Sequence, residues 1–212
     1  AGRVDALQEH DADIRVAVRV DGCERHGVGI VGLMRAGIRH PLLEQGDGIV
    51  GLRDHRAVAA VGTAFGMQTL IAQRDADDNR AGRLPLDELL CAADVVSVHC
   101  PLTETTRGLI GARELTLMKS GALLINTARG GIVDEAALLY ALQHNRIGGA
   151  GVDVLSEEPP RHGNPLLLHR LPNLIVTPHV AWASREARQR LVDGLTANIH
   201  AYLGGQPRNQ VK

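Results

Sequence analysis

The stretch Ala122-Leu123-Leu124-Ile125-Asn126-Thr127-Ala128-Arg129-Gly130-Gly131-Ile132-Val133-Asp134 decides how the chain reads. Ser120-Gly121 precedes an apolar run of strand length, Ala122 to Ile125, and a polar loop with two glycines follows it. Asp134 is a good helix N-cap. The residues after it put Ala137, Leu138, Ala141 and Leu142 on one helical face. A buried strand, a loop and a helix in that order form the unit of an α/β sheet. Arg129 then stands in a Gly-flanked loop at the C-terminal end of a strand, where open α/β sheets bind ligands. A solvated loop arginine fits the position equally well, so position alone does not decide.

Two further strands end the same way. Gly151 to Leu155 reads as a strand followed by Ser156-Glu157-Glu158-Pro159-Pro160, and Leu174 to Thr177 as one ending at Pro178-His179. Three successive strand ends thus deliver Arg129, Glu158 and His179 to one sheet edge. A lone His after a strand is more often structural. An Arg, a Glu and a His at three such ends make a site that can handle charge and protons. Upstream, Thr69 to Ala72 and Val95 to Cys100 read as strands, with a short amphipathic helix over Leu86 to Leu90 between them. A last helix runs from about Ser184 to Leu203, with Leu191, Leu195 and Ile199 in one stripe and Gly204-Gly205 to stop it.

With 44% hydrophobic but only 2% aromatic residues, the core must be built from Ala, Val, Leu and Ile. Strands buried on both faces of a parallel sheet have that composition. A net charge of -1 points to neither a nucleic-acid nor a membrane-surface partner. Cys23, Cys91 and Cys100 form neither a metal spacing nor a disulfide framework, and the histidines are scattered without ligand spacing, so no metal is expected. No segment approaches the ~18 apolar residues of a membrane span and no signal peptide opens the chain; a cytoplasmic protein is the expectation.

The order Asn126-Thr127-Ala128-Arg129-Gly130-Gly131, then Gly151-Val152-Asp153-Val154-Leu155-Ser156-Glu157-Glu158-Pro159-Pro160, then Pro172 to Ser184 resembles the NAD-dependent D-2-hydroxyacid dehydrogenases. The segments His99 to Ile110 and Leu117 to Asn126 are similar to the same family, so the likeness runs from about Leu84 to Val211. The ending Pro178-His179-Val180-Ala181-Trp182-Ala183-Ser184 resembles the glycerate dehydrogenase (hydroxypyruvate reductase) branch. The resemblance implies an α/β fold with a Rossmann-type, doubly wound parallel sheet. It implies hydride transfer between NAD or NADP and a small 2-hydroxy/2-oxo acid, in a homodimer. In that scheme His179 is the acid/base, Glu158 orients it, and Arg129 binds the substrate carboxylate. Asp153 contacts the nicotinamide carboxamide, while Cys100, Pro101, Thr127 and Ala128 line the cofactor cleft and Trp182 caps the substrate pocket. For Asp153 a strand-end turn role, and for Trp182 a packing role, stay open.

The N-terminal part departs from that pattern. The family's substrate domain, a domain of roughly a hundred residues, does not fit before Gly48 and is expected to be largely missing or unrecognisable. The expected division is 1–47 unassigned, 48–183 the cofactor domain, and 184–212 a helix returning towards the substrate domain. Ile14 to Val20 and Val28 to Leu33 are candidate strands in the first part. Gly48 to Leu52 reads as the first Rossmann strand, with Gly51 opening the phosphate turn. Gly51-Leu52-Arg53-Asp54-His55-Arg56 lacks a literal G-x-G-x-x-G; aligned on the following helix, the turn is one residue short and His55 takes the third glycine's place. Gly29 to Leu33 echoes Gly48 to Leu52, but Pro41 interrupts any helix after it. Gln73 then Arg74 follow the second strand where an acid would accept from the adenosine ribose, which leaves NADP open beside NAD; two simply solvated residues fit the positions equally well. An active dehydrogenase is the first reading. The alternatives are a catalytically impaired, cofactor-sensing or protein-binding module, and a non-functional fragment.

Overall fold

Val95-Val96-Ser97-Val98 is buried at every position and runs through the middle of a sheet. The computed structural model describes residues 16–19, 54–75 and 77–210. Among them the strands are β1 (Val16–Arg19), β2 (Gln68–Ala72), β3 (Arg83–Leu84), β4 (Val95–Val98), β5 (Leu123–Asn126), β6 (Gly149–Val152) and β7 (Leu174–Val176). The helices are α1 (Asp54–Ala64), α2 (Leu86–Ala92), α3 (Ala112–Leu117), α4 (Glu135–Gln143), α5 (Pro165–Leu168) and α6 (Arg185–Leu203). The sheet order is β3-β2-β1-β4-β5-β6-β7.

Six strands run the same way, as the aliphatic runs predict: β2 with β3, and β4 through β7 in register. β1 is the exception, antiparallel to both neighbours. It lies between β2 and β4, the slot of the first strand in the Rossmann order. The candidate strand over Ile14 to Val20 is thus found as β1. Gly48 to Leu52, Gly51 included, and the candidate over Val28 to Leu33 lie outside the described residues.

Successive strand side chains point to opposite faces. Val96, Val98 and Leu124 enter the main core with Leu89, Leu90, Leu115, Leu138 and Leu142 from α2, α3 and α4. Val95 and Ile125 face the other side with Met67, Ile71 and Leu123. Helix α4 starts where Asp134 stops the chain: its carboxylate accepts from the Ala136 and Ala137 amides, two donors the first turn cannot pair internally. Ser184 caps α6 in the same manner. Leu191, Leu195 and Ile199 of α6 are all more than half exposed, so the stripe expected from the sequence has no cover among the described residues. No described helix is long and apolar enough to cross a membrane.

β6 lies earlier than its sequence suggests, ending at Val152 rather than Leu155. Beyond Val152 the polar groups leave the ladder for the loops: Asp153 turns its carboxylate to the segment after β7, and Leu155 donates its amide to Glu158.

Candidate active site

The parallel register of β5, β6 and β7 puts the loops carrying Arg129, Glu158 and His179 side by side at the C-terminal edge of the sheet. Each loop is folded by a polar side chain at or next to its strand. Asn126, buried at the end of β5, accepts from the Ala128 amide and donates its own amide to the Arg129 carbonyl, at 3.1 and 3.0 Å. That closes Thr127-Ala128-Arg129 into a tight bend. Arg129 itself is exposed, and one Nη1–H donates to the Ala128 carbonyl at 2.8 Å. The rest of its planar fork is suited to a carboxylate.

Asp153 does the corresponding work after β6. Its buried carboxylate accepts from the Thr177 hydroxyl, the Val180 amide at 2.9 Å and the Ala181 amide at 2.8 Å. These donors flank His179, whose φ of 53° lies in the left-handed region. Asn, Asp and His tolerate that region best among residues with a side chain, and such strain persists only where neighbours enforce it. Asp153 is one enforcer. Trp182 is another, its indole N–H donating to the His179 carbonyl at 2.8 Å while the ring stays about half exposed. A carboxylate has about four lone-pair sites, so three donors leave Asp153 capacity for one more.

So held, His179 Nδ1 lies 2.7 Å from Glu158 Oε2, and the Leu155 amide donates to Glu158 Oε1 at 2.7 Å. Burial alone would raise the Glu158 carboxyl. The Leu155 amide and the His179 ring outweigh it and keep Glu158 below its ordinary value. An ionised carboxylate only accepts, so Nδ1 carries the proton in this pair and Nε2 is left for chemistry.

The spacing between loops is set by glycine. An added Cβ at Gly130 would lie 1.8 Å from the Leu155 carbonyl oxygen, so no other residue allows the Arg129 loop to lie against Leu155 and Ser156.

Cys100, Pro101, Gln73 and Arg74 follow β4 and β2 at the same sheet edge. Cys100 is buried just after β4, and the Pro101 carbonyl accepts from the Thr106 hydroxyl at 2.6 Å, which shapes the turn that follows. Gln73 leaves β2 with its amide on the Leu84 carbonyl at 2.7 Å. The Arg74 amide donates to Asp78, 2.8 Å away. Asp78, which the sequence reading passed over, is buried and also takes Arg80 at 2.6 Å and Arg83 at 3.1 Å. The Arg80 guanidinium beside it holds the Asp78 carboxyl well below the usual carboxylate range, burial pulling the other way. Asn126 was missed as well; a polar residue closing an aliphatic strand before a glycine-containing bend is the signal that finds it. Among the described residues no His, Cys, Asp and Glu cluster could hold a metal ion.

Parallel strands, helical crossovers and polar loops at one carboxyl edge define a dinucleotide-binding α/β domain. The residues present suit such a ligand: Asp153 can take one further donor, and Gln73 and Arg74 follow β2 at the carboxyl edge of the sheet. Residues 40–181 match the family described as D-isomer specific 2-hydroxyacid dehydrogenase, NAD binding domain, and the chain belongs to that family. It is 50% identical over 157 residues to a glycerate dehydrogenase of Methylorubrum extorquens, covering 74% of this chain and 49% of that one. A hydroxypyruvate reductase of Blautia hydrogenotrophica is 37% identical over 180 residues, covering 81% of this chain and 55% of the relative. Among solved structures, an acyclic imino acid reductase in complex with NADPH and D-Arg superposes with a TM-score of 0.66 at 33% identity, covering 86% and 61% of the two chains. A D-lactate dehydrogenase from Aquifex aeolicus complexed with NAD and lactic acid gives 0.61 at 33% identity, covering 73% and 51%. The chain spans about half the length of the curated relatives it matches.

Proposed function

We propose that this chain supplies the cofactor domain and the catalytic groups Arg129, Glu158 and His179 of a cytoplasmic, homodimeric D-2-hydroxyacid dehydrogenase. Its substrate pair is glycerate/hydroxypyruvate or glyoxylate and its reduced partner, the acids after which its relatives are named. The observation that carries the reading is the His179 Nδ1 to Glu158 Oε2 contact of 2.7 Å in a backbone turn that Asp153 enforces.

A nicotinamide cofactor, when bound, would supply the hydride chemistry at C2 of the acid. The chain's own residues manage charge and one proton. Arg129 fixes the substrate carboxylate and polarises the adjacent carbonyl oxygen. His179 Nε2 takes the hydroxyl proton during oxidation and returns a proton to that oxygen during reduction. Glu158 stays ionised and stabilises the imidazolium while it lasts. Asp153 offers its remaining lone pair to a cofactor amide. Gln73 and Arg74 would hold the adenosine ribose, and with no acid at that position NADP would be accepted beside NAD. Cys91 is an exposed free thiol, in keeping with a reducing compartment.

Titration with NADH and NADPH, followed by energy transfer from Trp182, the chain's one tryptophan, tests cofactor binding. Reduction of hydroxypyruvate and glyoxylate then tests turnover. Saturable binding with turnover supports the proposal. The altered Gly51 to Arg56 turn favours a second reading, a cofactor-sensing module, and binding without turnover at saturating acid would select it.

A further inference from the structure

The geometry points to Glu135 as the positioning residue that holds Glu158 on His179, by clamping both ends of the loop that carries Glu158. The inference rests on the reading of Glu158 and His179 as the working pair, and it adds a group that lies on a different element and touches neither.

Glu135 is the first residue of α4, directly after the N-cap Asp134. A glutamate there often serves only the helix, offering negative charge to the N-terminal amides. Here Asp134 already accepts from the Ala136 and Ala137 amides, and the Glu135 carboxylate is turned away to three other donors. Oε1 takes the Ser156 amide at 2.7 Å, and Oε2 takes the Ser156 hydroxyl at 2.8 Å and the Asn164 side-chain amide at 2.7 Å. Ser156 and Asn164 are the two ends of the loop, and Glu158 lies between them.

Asn164 cannot drift to suit its partner. It is buried, and its Oδ1 accepts from the Leu166 amide at 2.9 Å to cap α5, which packs Leu166 into the core. The amide orientation is therefore fixed, and Nδ2 must donate to Glu135. The loop between the ends is stiff. Pro159 and Pro160 remove two soft φ angles, and the Arg161 amide turns back on the Pro159 carbonyl at 2.8 Å. A short stiff bracket pinned at both ends has its middle placed by the pins, so the Glu135 carboxylate sets where the Glu158 backbone lies. The Leu155 amide then orients the Glu158 carboxylate, and His179 receives it.

Charge logic agrees with the geometry. Three converging donors suit a carboxylate, which only accepts. In Glu135→Gln, an Nε2 at the Oε2 position would oppose the Asn164 amide, which is unable to flip. The Ser156 amide would keep its acceptor, so this variant releases chiefly the Asn164 end. Glu135→Ala releases both.

The test reads His179 directly and does not need turnover. The ring signal is followed by NMR against pH in the wild type, assigned by its loss in His179→Gln. Glu158→Gln gives the size of the change expected when the pair is lost. In Glu135→Ala the titration midpoint should move towards that of Glu158→Gln by at least about half of the difference, and in Glu135→Gln by a smaller amount in the same direction. Combining Glu135→Gln with Glu158→Gln should add nothing further, because both act through one contact. A wild-type midpoint in a folded Glu135 variant overturns the inference, as does a full additive shift in the double variant. If Glu135→Ala does not fold, Glu135→Gln decides alone. If Glu158→Gln itself leaves the ring unmoved, the pair is absent and the catalytic reading falls first; if the ring responds as expected but no acid is turned over, only the catalytic reading falls.

Discussion

Gly130→Ala is the substitution for which the structure gives the firmest number. The added methyl would stand 1.8 Å from the Leu155 oxygen, 2.1 Å from its carbonyl carbon and 2.6 Å from the Ser156 nitrogen. All three are backbone atoms, so no side chain can swing aside. Reaching even 3.0 Å from the oxygen requires the two loops to part by roughly 1.2 Å. Ser156 is tied to Glu135, and the Arg129 carbonyl to Asn126, so the movement is shared between the loop of Arg129 and the loop that carries Glu158 to His179. A misplacement of about 1 Å in such a constellation costs about 10²-fold, or about 2.7 kcal/mol of barrier. The cost to folding is that of overpacking, about 1–3 kcal/mol. For a chain of this length that lowers Tm by about 2–12 °C. The assay is kcat/KM for hydroxypyruvate at saturating cofactor, with cofactor affinity and thermal unfolding measured on the same preparation. The expected result is a fall of about 10²-fold in kcat/KM with a folded protein at 25 °C. A variant with wild-type kcat/KM would refute the claim that close approach of these loops sets the site.

His179→Ala should abolish measurable turnover, a loss of at least about 10²-fold, while leaving cofactor affinity nearly unchanged; retained activity in a steady-state assay would remove His179 from its role. Asp78→Asn strips the buried charge that Arg80 and Arg83 share and should cost about 2–3 kcal/mol, the low end for a broken buried pair because Arg80 is half exposed. Since the folded Asp78 carboxyl is held below its ordinary value, that stabilisation is present above the unfolded carboxylate's range. It begins to be lost as pH falls below ~4 and is gone only below the depressed folded value, so the Tm difference between variant and wild type should narrow steadily through the acid range. Glycine at both Arg53 and His55 should tighten NADH binding by restoring close backbone approach to the pyrophosphate; equal or weaker binding by fluorescence titration would count against the alignment of that turn.

Much of the sheet was legible because its strands are uninterrupted aliphatic runs. Val95 to Val98 and Leu123 to Asn126 fall within a residue or two of the segments read from sequence. β6 was misplaced because Gly149-Ala150-Gly151 carries little strand propensity, whereas Asp153-Val154-Leu155 looks like strand and is loop. Glycine early in β6 suits a tight approach: a Cβ at Gly149 would sit 3.0 Å from the Asn173 carbonyl oxygen, a contact invisible in the local sequence. The reversed direction of β1 was equally unreadable, since alternation gives a strand but not its sense. At the site, motif order placed Arg129, Glu158 and His179 on adjacent strand ends. Of the residues that hold them, Glu135 and Gly130 gave no such signal, because they act on a loop distant in sequence; Asn126 acts locally, and its place at the strand end is its only mark.

The division between the two groups explains why the loops can carry chemistry on a sheet edge at all. A loop at a strand end is ordinarily among the least fixed parts of a fold. Here one polar side chain closes each: Asn126 the loop of Arg129, Asp153 the turn of His179, and Glu135 the bracket of Glu158. Asn126 and Asp153 are buried and rooted where their strands end, so the rigidity of the sheet passes into the loops without apolar cover. The outer faces of the charged groups stay open, with Arg129 exposed and His179 and Glu158 partly so. Half of each curated relative's length lies outside the match, and α6 presents its apolar stripe uncovered.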